Sequence, residues 1–202
     1  MLGFVLAYYW QPSFQESLNV LALWKERYGY SFSVGLSIVA GALVPEFLKI
    51  TIFQRGRFNS RNLEEVIFGA LFWGVVGIFV DLLYRYQAVW FGSDVTLEVL
   101  IKKVVVDQFI YCPFFAAPLT VWVYEWKNRR YAMDGLADMF TVSFYRTNIL
   151  PTLIASWAVW IPLVSIIYSL PPLLQVPLFG LALSFWVLLV TYITSVNKKP
   201  TP

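Results

Sequence analysis

Glu46, Asp81, Arg85, Lys103, Asp107 and Gln108 are the residues of this chain whose types and spacing could do chemistry, because each lies in or beside a long apolar run. Glu46 has Lys49 three residues on, Asp81 has Arg85 four on, and Lys103 has Asp107 four on. On a helix each spacing brings the opposite charges to one face. Two kinds of chemistry fit. The pairs could be local salt bridges that let the helices enter a membrane, or they could line a polar seam reached by water, along which small solutes or ions pass. Each Asp, Lys or Arg at a helix centre costs about 2.5 to 3.5 kcal/mol to insert, so either way the groups need partners or water.

Several other chemistries lack their residues. The chain has no histidine and one cysteine, Cys112. No metal or cofactor is therefore expected, and the Ser-His and Cys-His pairs of most hydrolases cannot form. No catalytic residue is assigned, and an enzyme is not expected. An aspartyl mechanism would need two carboxylates side by side, and Asp81 and Asp107 lie on different runs. The net charge of +3 is spread along the chain, and the aromatics sit among aliphatic residues, so a nucleic-acid partner is not expected.

The elements that must position these residues are membrane helices. The 202 residues are 59% hydrophobic and only 13% charged, with mean hydropathy +0.65, too little polar surface for a water-soluble domain of this length. Apolar runs at about 34–53, 66–86 and 104–124 are each near the twenty helical residues that cross the hydrocarbon. Two more, 149–168 and 173–196, flank Leu170-Pro171-Pro172, and could be two spans or one span with a re-entrant piece. Five spans place the basic loops and the Lys198-Lys199 tail on one side, which favours five over four slightly. The expected fold is an all-α polytopic bundle of four to five spans, one integral membrane domain over 1–202. The lipid bilayer and small solutes are its partners, and a homo-oligomer is compatible with it.

Within that bundle the first two runs carry small-residue stripes. Ala70, Gly74, Gly77, Asp81 and Arg85 share one helical face, and Ser37, Gly41 and Pro45 lead to Glu46 in the same way. Packed against each other, these stripes would turn the acids inward. Asp107 is expected in the first turn of its span, paired with Lys103, and Gln108 is expected to bond to a neighbouring helix. QRGRFNSRN reads as a basic surface loop, and WKNRRYAMDGLADMF as another with a short amphipathic helix. MLGFVLAYYW lacks the basic start and cleavage site of a secretory signal.

Lys102, Lys103, Asp107, Gln108 and Pro113, spaced K-K-x-x-x-D-Q-x-x-x-x-P, resemble the signature of the family containing the Mpv-seventeen protein, the yeast stress protein Sym-one and the twenty-two-kilodalton peroxisomal membrane protein. GIFVDLLY keeps Gly77 and Tyr84 of an upstream family motif. Asn148, Pro151, Trp160, Pro162, Trp186 and Tyr192 resemble its C-terminal pattern. Ile78, Asp81 and Leu83 replace the family's proline, histidine and tryptophan, Ile154, Trp157 and Ala158 replace its later glutamine, asparagine and phenylalanine, and Ile166 replaces an arginine, as in a divergent branch. The resemblance implies a weakly selective channel for small solutes in a mitochondrial inner or peroxisomal membrane, or in the cell inner membrane of a bacterium. A non-conducting scaffold, whose charges only fasten helices, is the alternative.

Overall fold

Helix starts along this chain are set by polar residues that a hydropathy profile passes over. Asn59, Thr96 and Thr141 each accept a hydrogen bond from a backbone N–H three residues on, satisfying donors that a helix start leaves free. The computed structural model describes the backbone of residues 2–197, with side chains described except at 2, 4, 5 and 190–197. The helices are α1 (Leu2–Trp10), α2 (Pro12–Tyr28), α3 (Tyr30–Phe53), α4 (Ser60–Phe91), α5 (Leu97–Asn128), α6 (Val142–Tyr168) and α7 (Pro172–Asn197). Five of them, α3 to α7, are long and apolar enough to cross a membrane, and no strand occurs among the described residues. The fold is an all-α set of membrane spans, as the sequence indicates.

Five spans rather than four follow from Pro171 and Pro172. α6 ends at Tyr168, and Pro172 opens α7 at a first-turn position where a missing N–H costs nothing. The spans begin earlier than their apolar runs. α4 starts at Ser60 and α5 at Leu97, so Asp107 lies ten residues inside its helix. The expectation that Asp107 lies in the first turn of its span is therefore corrected. The loop after α5 holds one 3-10 turn, Leu136–Phe140, where an amphipathic helix was expected. The Lys198-Lys199 tail and the Tyr192 side chain lie outside the described residues.

Pro45, Pro113 and Pro151 leave the same mark in their spans, whereas Pro162 and Pro177 sit in regular α-helix and a further π-helical turn, Lys49–Phe53, has no proline at that spacing. Wide π-helical turns occupy Val39–Leu43, Asp107–Ala116 and Tyr145–Ile149. Each contains the carbonyl four residues before a proline, namely Pro45, Pro113 or Pro151. A proline ring clashes with that carbonyl and offers it no N–H, and widening the turn relieves the clash.

The described chain forms two compact units, α1–α4 with α7, and α5 with α6. In the first, α3 and α4 run antiparallel in close contact. A Cβ on Gly77 would lie 2.5 Å from Ser37 Oγ and 2.7 Å from the Ser33 carbonyl oxygen. One on Gly69 would meet Ala42 at 2.9 Å, and one on Gly41 would clash with the Trp73 ring. The two small-residue stripes read from the sequence thus face each other. α7 closes against the same pair, with Gly180 over Leu36 and Tyr84 edge-on to Phe179 at 6.4 Å. Leu71 and Val75 on α4 point outward, as lipid-facing residues do. In the second unit, Trp122 Nε1 donates to the Met139 carbonyl at 2.7 Å, and Tyr145 donates to the Pro113 carbonyl at 3.0 Å.

Close approach at Gly77 makes a specific demand. Gly77→Val should destabilise the detergent-solubilised protein by about 1–3 kcal/mol, the usual cost of overpacking. Gly35→Ala, where a Cβ meets nothing within 4 Å, should leave the unfolding temperature unchanged or raise it. Thermal unfolding followed by tryptophan fluorescence measures both, and equal losses would place the helix contact elsewhere.

Candidate functional site

Asp81 is where the first unit concentrates its charge. It is 1% exposed, and both carboxylate oxygens are used. Oδ1 accepts from Arg85 Nε at 2.9 Å, and Oδ2 accepts from Ser33 Oγ at 2.8 Å and from the Lys25 ammonium. Lys25 also donates to Ser33 Oγ at 2.7 Å and to the Gly29 carbonyl at 3.1 Å. The Asp81–Arg85 pair follows from the i,i+4 spacing. Lys25 does not, because it sits on α2, ahead of every apolar run.

The backbone explains how Lys25 arrives. Gly29, at φ 54, ends α2 and starts α3, a left-handed conformation that glycine adopts without strain. α2 therefore folds back beside the start of α3, with Lys25 over Ser33. Burial pulls the Lys25 ammonium below the usual lysine range, and the Asp81 carboxylate acts against that pull. Arg85 is held from a second side by Tyr30, with Cζ 4.6 Å from the ring centroid. Ser33 lies one turn into α3, so the group sits near one edge of the apolar layer, where the half-exposed Arg85 reaches out. A cavity of about 440 Å³ opens beside it, lined by Lys25, Asp81, Arg85, Tyr84, Leu173 and Val176 among others.

Glu46 is placed differently. It pairs with Lys49 at 3.0 Å, as the spacing indicates, and accepts from Asn62 Nδ2 at 2.5 Å. Asn62 is 1% exposed and also completes a reciprocal cap with Asn59 at the start of α4. One side chain thus helps cap the start of α4 and ties it to α3. Asn59 followed three residues on by Asn62 was a visible helix-start signal, but its reach to Glu46 was not.

In the second unit the expected Lys103–Asp107 pair does not form. Asp107 Oδ2 accepts from the Tyr168 hydroxyl at 2.5 Å and Oδ1 from Gln108 Nε2 at 2.8 Å. The helix widens into its π-helical stretch at Asp107, so the i,i+4 register that would stack it on Lys103 is lost. Lys103 is buried, and among the described residues no ion pair or hydrogen bond reaches it. Among the described residues the Gln108 side chain bonds sideways to Asp107 and not across to another helix. Its backbone carbonyl accepts from Trp157 Nε1 at 2.9 Å. Lys102 pairs with Glu98 at 2.5 Å on the exposed face. Asn148, Pro151 and Pro162 are exposed, Trp160 and Trp186 are half-buried, and Pro113 is buried.

Of the six seam residues, Asp81 with Arg85 and, apart from them, Glu46 lie in the first unit, and Lys103, Asp107 and Gln108 lie in the second. Among the described residues no set of three or more His, Cys, Asp or Glu side chains could hold a metal ion.

No family profile matches the chain, and no solved structure matches it. It is 29% identical over 112 residues to Protein SYM1 of Candida albicans, 50% of this chain and 52% of that protein. The chain spans about half the length of the curated relative it matches. The likeness supports a divergent relationship to that relative's family.

The two carboxylate arrangements separate by mutation. Tyr168→Phe removes a buried donor from Asp107 and should cost about 1–3 kcal/mol in thermal unfolding. Lys103→Met should cost nothing measurable or stabilise, since it replaces an unpaired buried cation. A loss at Lys103→Met as large as at Tyr168→Phe would restore the ion pair expected from spacing.

Proposed function

We propose that this chain is a divergent member of the family it resembles, forming a weakly selective passage for small solutes, with the Asp81, Lys25 and Arg85 group at its mouth. The observation that carries the reading is the cavity of about 440 Å³ opening beside Asp81, a carboxylate that gathers two cations. We read the protein as a conduit and not an enzyme. Its family resemblance favours a mitochondrial inner or peroxisomal membrane, or a bacterial inner membrane, with assembly into a homo-oligomer compatible with it.

A scaffold without a pore is the second reading, and a specific observation favours it. The carboxylates of Glu46 and Asp107 are satisfied by neighbouring side chains and hold helices together. On the first reading these two groups are fastenings and only the Asp81 group meets solute.

Purified protein in liposomes distinguishes the two. Single-channel recording and solute efflux should show conductance that changes in Asp81→Asn. Glu46→Gln should lower stability while leaving the conductance of folded protein unchanged. No flux from folded, inserted native protein would leave the scaffold.

A further inference from the structure

Arg85 is built like a receptor for one anionic group. Its Nε is taken by Asp81 Oδ1, and Tyr30 covers a face of the guanidinium at 4.6 Å. These two contacts fix the plane of the fork. Among the described residues neither Nη atom has a hydrogen-bond partner, so the outer edge is left open while the inner edge is held. A planar fork fixed in this way matches a carboxylate or phosphate through two parallel N–H···O bonds.

The walls beside it say what else the ligand carries. Tyr84, Leu173 and Val176 make the neighbouring surface of the same cavity apolar, and a bare inorganic anion would leave that surface in water. Exposed Glu26 also lines the cavity. Its charge opposes a second negative charge, and the Lys25 ammonium is already engaged by Asp81, Ser33 and Gly29.

We propose that this cavity binds a singly charged carboxylate or phosphate group carried on a small apolar body, with Arg85 as the recognition residue. The inference rests on the reading of the Asp81 group as a solute mouth and names the class of solute, but it is tested by binding and not by flux. The same chemistry occurs in free organic acids and in the headgroup of an anionic lipid.

Thermal unfolding and calorimetric titration of the detergent-solubilised protein with hexanoate, hexylammonium, hexanol and inorganic phosphate test the free acid. Unfolding in phosphatidylcholine nanodiscs with or without phosphatidylglycerol tests the lipid. Hexanoate should raise the unfolding temperature saturably, with Arg85→Gln weakening it about tenfold or more. Arg85→Lys should fall between, keeping charge without the fork, and Glu26→Gln should tighten binding. Stabilisation by phosphatidylglycerol alone, lost in Arg85→Gln, would support the site and assign it to lipid. Equal effects of hexanol or phosphate, binding indifferent to Arg85→Gln, or no response to any anion would overturn it. Should Arg85→Gln not fold, Glu26→Gln decides: unchanged affinity there overturns the assignment. Binding without liposome flux would retain the site and remove the permeation reading.

Discussion

A carboxylate inside an apolar layer persists only where donors surround it, and the first unit is arranged around that requirement at Asp81. Three donors from three helices converge on it: Lys25 from α2, Ser33 from α3 and Arg85 from α4 itself. Ser33 reaches Asp81 only because α3 and α4 lie close, and they lie close because glycines fill the contact. The backbone carbonyl of Ser33 would stand 2.7 Å from a Cβ on Gly77. Small residues, helix spacing and charge satisfaction are thus one constraint.

The other buried acids show the same requirement met in a closed form. Glu46 is bound by Lys49 and Asn62, and Asp107 by Tyr168 and Gln108. Neither is among the groups that line the 440 Å³ cavity, whereas Asp81 is. Removing one partner from a buried ionic group leaves an uncompensated charge, which is why such sites resist change even when they serve only packing. What sets Asp81 apart is Arg85, half in the group and half in the open.

Local features were legible in the sequence, and long-range partners were not. Apolar length indicated the spans, and prolines 171 and 172 marked the break between the last two. The i,i+3 and i,i+4 spacings indicated Glu46–Lys49 and Asp81–Arg85, because those pairs need only a regular helix. Lys103–Asp107 failed for the same reason in reverse: the helix is not regular at Asp107. Lys25 lies 56 residues from Asp81 along the chain and in α2, a helix too polar to register as a span, so no spacing rule connects them. Asn62 and Tyr168 escaped likewise, each reaching its acid through tertiary packing. Gly29 is the residue that folds α2 back onto α3, and a lone glycine between two aromatic tyrosines carries little signal by itself.

The most direct test of this account is a double-mutant cycle on Lys25 and Asp81, using Lys25→Met, Asp81→Asn and the double variant in thermal unfolding. If Asp81 depends on Lys25 as its buried partner, each single change destabilises strongly and the double costs less than their sum, with a coupling of about 1–3 kcal/mol. Additive losses, within about 0.5 kcal/mol, would mean that the two charges do not meet and that α2 does not complete the site.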